Sequence, residues 1–354
     1  MYRREAHESA RRSTEAARTA KVVSSSARKY RRIDLMRQLF NGVRGAIPKP
    51  IKNFIRERFI DAGGVDNAAF VAGSHRSGTT WAASALNFDG RYRNMYEPFN
   101  GERVMVNARF TYGLYLRPED AAPEYAAAAE NVLAGRLRHA TVDQRNTRFF
   151  GTRRMIKETH ANLWIAWLHR RFPSVRIVMV VRHPFATAQS RRVKGWPTRL
   201  DPFLIQQPLL YDHLAPFVDV IRAARGDFEQ HVANWCVQHY VPFRQLRRDD
   251  VHVLFYEDLC VNADRALREA CAFLGRPYRD SALSTLKQPS FTARRDSPIR
   301  TGAAQLVDEW QQKVSADERA AGMALLHAFG LDRVYSDDAM PLTRDPFVLP
   351  GVPR

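Results

Sequence analysis

The chain has 354 residues, 45% of them hydrophobic, and a formal net charge of +18 from 55 Lys/Arg against 37 Asp/Glu. That composition excludes a disordered, collagen-like or low-complexity protein. Three cysteines (Cys236, Cys260, Cys271) with no Cys-x-x-Cys pair exclude a disulfide scaffold and point to a reducing compartment. The excess charge asks for an anionic partner: nucleic acid, a membrane surface, or a phosphorylated or sulfated small molecule.

Residues 1–60 hold 16 Lys/Arg against five Asp/Glu, so most of the net charge belongs to the first sixth of the chain. The first 30 residues read as a solvated arm. Residues 30–60 form two basic amphipathic pieces separated by Pro48-Lys49-Pro50. This segment is expected to lay its apolar face on the main domain. A peripheral contact with an anionic membrane is the sharper alternative. The segment lacks the continuous apolar stretch of a secretory signal, and no apolar run reaches the roughly 18 residues that span a bilayer. A cytoplasmic location is expected, with contact at the inner face of a membrane left open. No zinc-finger or RNA-binding signature supports nucleic acid.

Beyond the arm, strands and helices alternate. A short apolar run at 69–72 predicts a strand. A Gly-containing turn follows, then a helix over 81–88. A second strand is expected at 92–95, an Ala-rich helix near 122–138, and a strand at 155–157. Helical spacing covers 161–171. The run Arg-Ile-Val-Met-Val-Val at 176–181 is apolar on successive residues, as a strand covered on both faces requires. A Pro-studded loop from 195 leads into a long helix ending near 247. Strand 251–256 and helix 263–274 follow. The Pro-rich tail after 335 is expected to be extended. Alternation of this kind argues for an α/β protein with a parallel sheet. The long insertions at 100–150 and 195–247 are the segments expected to shape a substrate site.

The most informative stretch is Gly73-Ser74-His75-Arg76-Ser77-Gly78-Thr79-Thr80-Trp81. Two glycines five apart, between a strand and a helix, make a cradle of backbone N–H groups that attracts an anion. Arg76 adds a permanent forked cation, and Thr79 and Thr80 add hydroxyl donors. A Walker A loop needs Lys after its second Gly; Thr79 stands there, which disfavours an ordinary Mg-nucleotide triphosphatase.

This loop resembles the 5'-phosphosulfate loop of sulfotransferases that use 3'-phosphoadenosine-5'-phosphosulfate (PAPS), in the bacterial and Golgi-like carbohydrate branch where Arg replaces Lys. The resemblance implies a P-loop NTPase-like three-layer fold. It implies that Arg76, Thr79 and Thr80 grip the 5'-phosphosulfate, that Gly78 allows close backbone approach, and that Trp81 stacks on adenine. A second similarity is Arg182 at the end of the buried strand with Ser190 eight positions on, matching the family's 3'-phosphate pair. Pro184 is well placed to open the intervening helix. Arg191 and Arg192 add charge nearby, with plain solvated surface as the alternative. A third is Tyr256-Glu257-Asp258-Leu259 followed by Phe273-Leu274-Gly275, read as structural, with the two carboxylates fixing the strand-to-helix turn. Arg300 and Gly302 lie where the family closes a basic loop on the 3'-phosphate.

Sulfuryl transfer needs a base for the acceptor proton and cations for the departing phosphate. Glu97, in Tyr96-Glu97-Pro98-Phe99, matches the branch's Glu-Pro pair, and Pro98 biases it towards extended backbone. His160 is the alternative. The cytosolic branch has Lys-Thr-His where this chain reads Lys157-Glu158-Thr159-His160, one residue longer. Lys157 is a candidate for holding the sulfonate or bridging oxygen.

Trp196, Phe203, Tyr211 and Trp235 are expected to wall the acceptor site. No residue cluster has metal-ligand spacing, so no metal is expected. The reading is therefore a PAPS-dependent sulfotransferase acting on a small-molecule or glycan acceptor. It would comprise an arm (1–65), a sulfotransferase domain (66–335) and a tail (336–354). A nucleotide-dependent kinase and a non-enzymatic anionic-surface-binding protein are its rivals.

Overall fold

A computed structural model describes residues 60–146, 150–290, 293, 299 and 303–347. The basic arm before residue 60, Arg300, Gly302 and the tail beyond 347 lie outside the described residues.

Five parallel strands form the centre: β1 (Ala68–Ala72), β2 (Arg93–Tyr96), β3 (Arg154–Glu158), β4 (Arg176–Val181) and β5 (His252–Phe255). Their spatial order is β2-β3-β1-β4-β5. Side chains alternate between the two faces of a strand, and the packing follows that alternation. Val71, Val178 and Val180 pack with Trp81 of α1 (Thr79–Leu86) and Leu267 of α7 (Ala263–Phe273). Phe70, Ile156 and Ile177 pack instead with Val132 of α2 (Pro123–Leu133) and Leu168 of α3 (Ile165–Arg171). Met179 and Val181 meet Trp235 of α5 (Gly226–Gln245) and Phe185 of α4 (Pro184–Arg192). This is the three-layer α/β architecture with a central parallel sheet that the sequence leads one to expect.

Three local expectations change. The helix expected from 161 begins at Ile165, because residues 161–164 close a turn through Trp164 N–H and the Ala161 carbonyl (3.0 Å). Much of the loop from 195 is short helices, among them Asp201–Leu204 and Val218–Ala223. The tail does not run extended: Tyr335 bridges Pro341, and Arg344 grips the Asp258 carboxylate through two bonds of 2.7 and 2.8 Å. Among the described residues no helix is long and apolar enough to cross a membrane.

The amino ends of β2 and β3 hold a closed charge network. Arg93 donates to both oxygens of Asp143 (2.7 and 2.8 Å), to Asp61 (3.3 Å) and to two backbone carbonyls. Arg154 takes both Asp61 oxygens at 2.6 and 3.0 Å. The side chains of both Arg–Asp61 pairs are fully buried.

Candidate active site

The carboxyl edge of a parallel α/β sheet, where connections leave in opposite directions, is where such folds bind ligands. Here β1 runs into the glycine loop, β2 into Glu97, β3 into Thr159 and β4 into Arg182. All four converge on one cleft.

The loop is built to expose its crest. Gly78 has φ 90°, and a Cβ there would stand 2.5 Å from the Tyr256 ring. Ser77 ties back to the Ser74 carbonyl through its hydroxyl (2.6 Å). Arg76 also sits at positive φ (70°), a strained state for a side-chain-bearing residue that sites tolerate and ordinary loops avoid. His75, Arg76, Gly78, Thr79, Thr80 and Trp81 line the cleft. Gly73, Ser74 and Ser77 do not line it; they shape the loop from behind.

The Arg182/Ser190 pair lies on the same cleft. Arg76 Nε donates to Ser190 Oγ (3.0 Å), and Arg182 donates to the Arg76 carbonyl (3.2 Å) and lies 4.3 Å over the Tyr256 ring. The two motifs, over a hundred residues apart in sequence, thus meet on one wall. Among the described residues, Arg182 Nε has no hydrogen-bond partner.

The turn that aims Arg182 is locked on every side. Trp235 donates to the Arg182 carbonyl (3.0 Å), and His183 N–H donates to Glu257 (2.9 Å), which also accepts from Tyr335 (2.8 Å). Glu257 therefore fixes the β4–α4 turn, and Asp258 fixes the tail; neither serves chiefly its own strand-to-helix turn. His183 caps α4 by accepting from Phe185 N–H, which leaves its Nε2 to donate to Ser336. Burial holds this ring neutral, at about 3.

Trp81 is 3% exposed, and its indole N–H is taken by the Leu286 carbonyl (3.0 Å). It contributes a wall shared with Tyr256, 5.5 Å away, and also belongs to the core.

Glu97 is buried with φ 47°, so the extended backbone expected from Pro98 is absent. Its N–H bonds the Lys157 carbonyl (2.8 Å) and its carbonyl accepts from Asn100 (3.2 Å); these bonds impose the turn. Lys157 Nζ stands 2.5 Å from Oε1, Thr159 donates to the same oxygen (3.0 Å), and Arg103 reaches Oε2 (3.4 Å). Burial pushes the carboxyl up, but Lys157, Thr159 and neighbouring His160 outweigh it and hold Glu97 below the ordinary carboxylate range.

Glu158, the residue that lengthens the Lys157–His160 motif, is fully buried. It accepts the N–H groups of Phe99, Thr159 and His160 at 2.8–3.1 Å. It pins the Glu97 loop to the β3 loop. Burial and the Glu97 charge raise it to about 7. His160 is lowered to about 4, chiefly by burial; it lies in the turn before α3, 5.0 Å from the His75 ring.

Two spaces meet at Glu97. The first is the cleft above, with an open volume of about 1130 Å³; it also takes in Lys157, Arg182 and Ser190. The second, about 1600 Å³, is lined by Tyr112, His160, Arg191 and Arg199 among others. His75, Arg76, Tyr96, Glu97, Lys194 and Trp196 face both. Three of the four non-glycine residues with positive φ among the described residues, Arg76, Glu97 and Arg199, line these spaces.

Of the four residues expected to wall the acceptor site, only Trp196 lines either space. Phe203 and Trp235 are fully buried in the core, because helical spacing turns them inward, and Tyr211 is 86% exposed on the surface. Tyr112, which sequence reasoning missed, lines the second space and is held by Asn234 and Gln238. Arg191 is not solvated surface but 3% exposed, whereas Arg192 pairs with Glu318. No local signal separates those two adjacent arginines.

A family model described as "Sulfotransferase family" matches residues 68–280. No curated protein sequence matches the chain. Among solved structures it is similar to the sulfotransferase domain of an olefin synthase from Synechococcus PCC 7002, with 18% identity over 77% of this chain and 97% of that one and a TM-score of 0.42. It is similar to a sulfotransferase domain from the curacin biosynthetic pathway, at 16% identity over 76% and 98% and a TM-score of 0.40. A sulfotransferase from Alicyclobacillus acidocaldarius is 18% identical over 73% and 95%, with a TM-score of 0.33.

Proposed function

The chain belongs to the sulfotransferase family, and from that premise we propose that it takes its sulfuryl group from PAPS and passes it to a hydroxyl of a small-molecule or glycan acceptor, with Glu97 as base. The observation that carries this reading is the position of Glu97, the one acidic side chain facing both spaces among the described residues.

The residues of the first cleft fit the donor. Arg76, Lys157, Arg182, Lys194 and Lys313 line it against Glu97 and Glu309, a balance suited to a ligand with phosphates at two positions. The close approach of Gly78 to Tyr256 leaves room for backbone and no side chain, and Arg182 Nε is an unused donor among the described residues. PAPS supplies a sulfuryl group whose sulfur bonds to the acceptor oxygen as its bond to the phosphate oxygen breaks.

Glu97 is charged at neutral pH and accepts the acceptor's hydroxyl proton. Taking that proton neutralises the carboxylate and weakens its hold on Lys157 Nζ. Lys157, which faces the donor cleft, is then available to the charge growing on the leaving phosphate. Arg182 and Ser190 hold the 3'-phosphate; Arg76, Thr79 and Thr80 hold the 5' end. His160 faces only the second space, where it orients acceptor.

Calorimetric titration with 3'-phosphoadenosine-5'-phosphate (PAP), ADP and ATP-Mg tests the reading. PAP should bind best, and Arg182→Ala should remove the preference. A charge-assisted contact of this kind is worth roughly 1.5–3 kcal/mol, so PAP affinity should fall about 10- to 100-fold. Equal affinity for PAP and ADP would sink the proposal.

A further inference from the structure

Arg191 is a buried guanidinium with no carboxylate within ion-pair distance among the described residues. Its Nε donates to the His75 carbonyl (3.1 Å) and its Nη1 to Asn234 Oδ1 (2.8 Å), both neutral acceptors. Nη2 has no partner. Burying a cation without a counter-charge is costly, and proteins keep such an arrangement where a ligand completes it.

The second space offers no carboxylate of its own to Arg191. Its lining includes two, and both are engaged: Glu97 with Lys157 and Arg103, Glu102 with Arg199 at 2.8 Å. Five basic side chains line the same space. Arg191 faces this space and not the donor cleft, so the missing anion is not the donor's. Asn100 and His160 line it too, both nearly buried, with Asn100 Oδ1 and His160 Nδ1 unpartnered. An acceptor, a donor and a group able to be either are what a hydroxyl-rich ligand satisfies. The apolar part of its lining is three aromatic side chains, Tyr96, Tyr112 and Trp196, with Pro197 and no Leu, Ile, Val or Met.

We propose that the acceptor is a polyhydroxylated molecule carrying an anionic group beside the hydroxyl that is sulfated, and that Arg191 Nη2 binds that anionic group. This rests on reading the second space as the acceptor site. A carboxylate and a phosphate share the required chemistry.

The test uses the full-length protein saturated with PAP and three probes of one scaffold: glucose, glucuronic acid and glucose 6-phosphate. Binding is measured by ligand-observed NMR titration. At least one charged probe should bind roughly tenfold or more tightly than glucose, and the better of the two identifies the anion. Arg191→Gln should abolish that discrimination while PAP affinity, read in the same samples, stays at the wild-type value. Glucose binding as tightly as both charged probes overturns the proposal, as does discrimination that survives Arg191→Gln or failure of both charged probes to bind at millimolar concentration. The wild-type comparison decides even if the variant fails to fold. Loss of PAP binding by the wild-type protein would instead overturn the donor reading beneath it.

Discussion

The two ends of the central sheet handle arginine in opposite ways. At the amino end, Arg93 and Arg154 meet Asp61 and Asp143, and the charges close on themselves. At the carboxyl end, Arg182 and Arg191 bond to carbonyls and an amide, and each keeps a nitrogen unpartnered. A buried cation whose charge is answered within the chain holds the fold together. On the proposed reading, one whose charge is left unanswered among the described residues is reserved for a ligand. The same residue type, fully buried in Arg93 and Arg154 and only partly buried in Arg182, would then do two jobs, with counter-charge separating them.

The sharpest way to break that contrast is to remove one arginine from each end. Arg93→Met strands Asp143 in a dry site, while Asp61 keeps Arg154. Breaking a buried pair on one side costs about 3–5 kcal/mol, so urea unfolding should show a loss of that size with PAP affinity of the surviving folded protein unchanged. Arg182→Ala should do the reverse. A stable Arg93→Met protein would dissolve the distinction.

Glu97→Gln probes the carboxyl end without changing its shape. Turnover should drop by something like 10²-fold or more, with PAP affinity retained. Near-normal turnover would transfer the role of base to His160.

A smaller effect sharpens the comparison through pH. His183 and His239 are fully buried and held neutral, each at about 3, chiefly by burial. Unfolded histidine titrates near 6.5, so below that pH the unfolded chain binds protons that the folded one refuses. Stability should therefore fall as pH drops from 6.5. The slope approaches about 1.4 kcal/mol per pH unit for each ring. Thermal melts at pH 7 and pH 5.5 check it. His183→Gln, which keeps a hydrogen-bonding side chain at the helix cap, should flatten the slope.

Much of this was legible beforehand. The run 176–181 is a strand at the stated bounds because five successive apolar residues after Arg176, bounded by Pro173 and Pro184, fit a doubly covered sheet position. The glycine loop and Arg182 were legible because their chemistry is local: a turn between strand and helix delivers its own N–H groups, and a strand delivers its last side chain to the sheet edge. Glu97 could be nominated but not its conformation, since its positive φ goes with a bond to Lys157 on β3, sixty residues on, as well as the local turn bond from Asn100. The wall residues failed for a related reason. Trp235 and Phe203 carry the same aromatic signal as Trp196, and only the packing of α5 and the short helices decided which ring faces inward.

The sequence by itself determined the layered α/β order and the glycine-containing turn between the first strand and its helix, because each is written in spacing along a strand, a turn or a helix. Tertiary structure alone decided which charges are answered. Asp61 and Arg154 lie 93 residues apart, and Arg191 differs from Arg192 only in the direction its helix turns it. Counter-charge is a property of what folding brings within a few ångströms, and no local pattern along the chain records that.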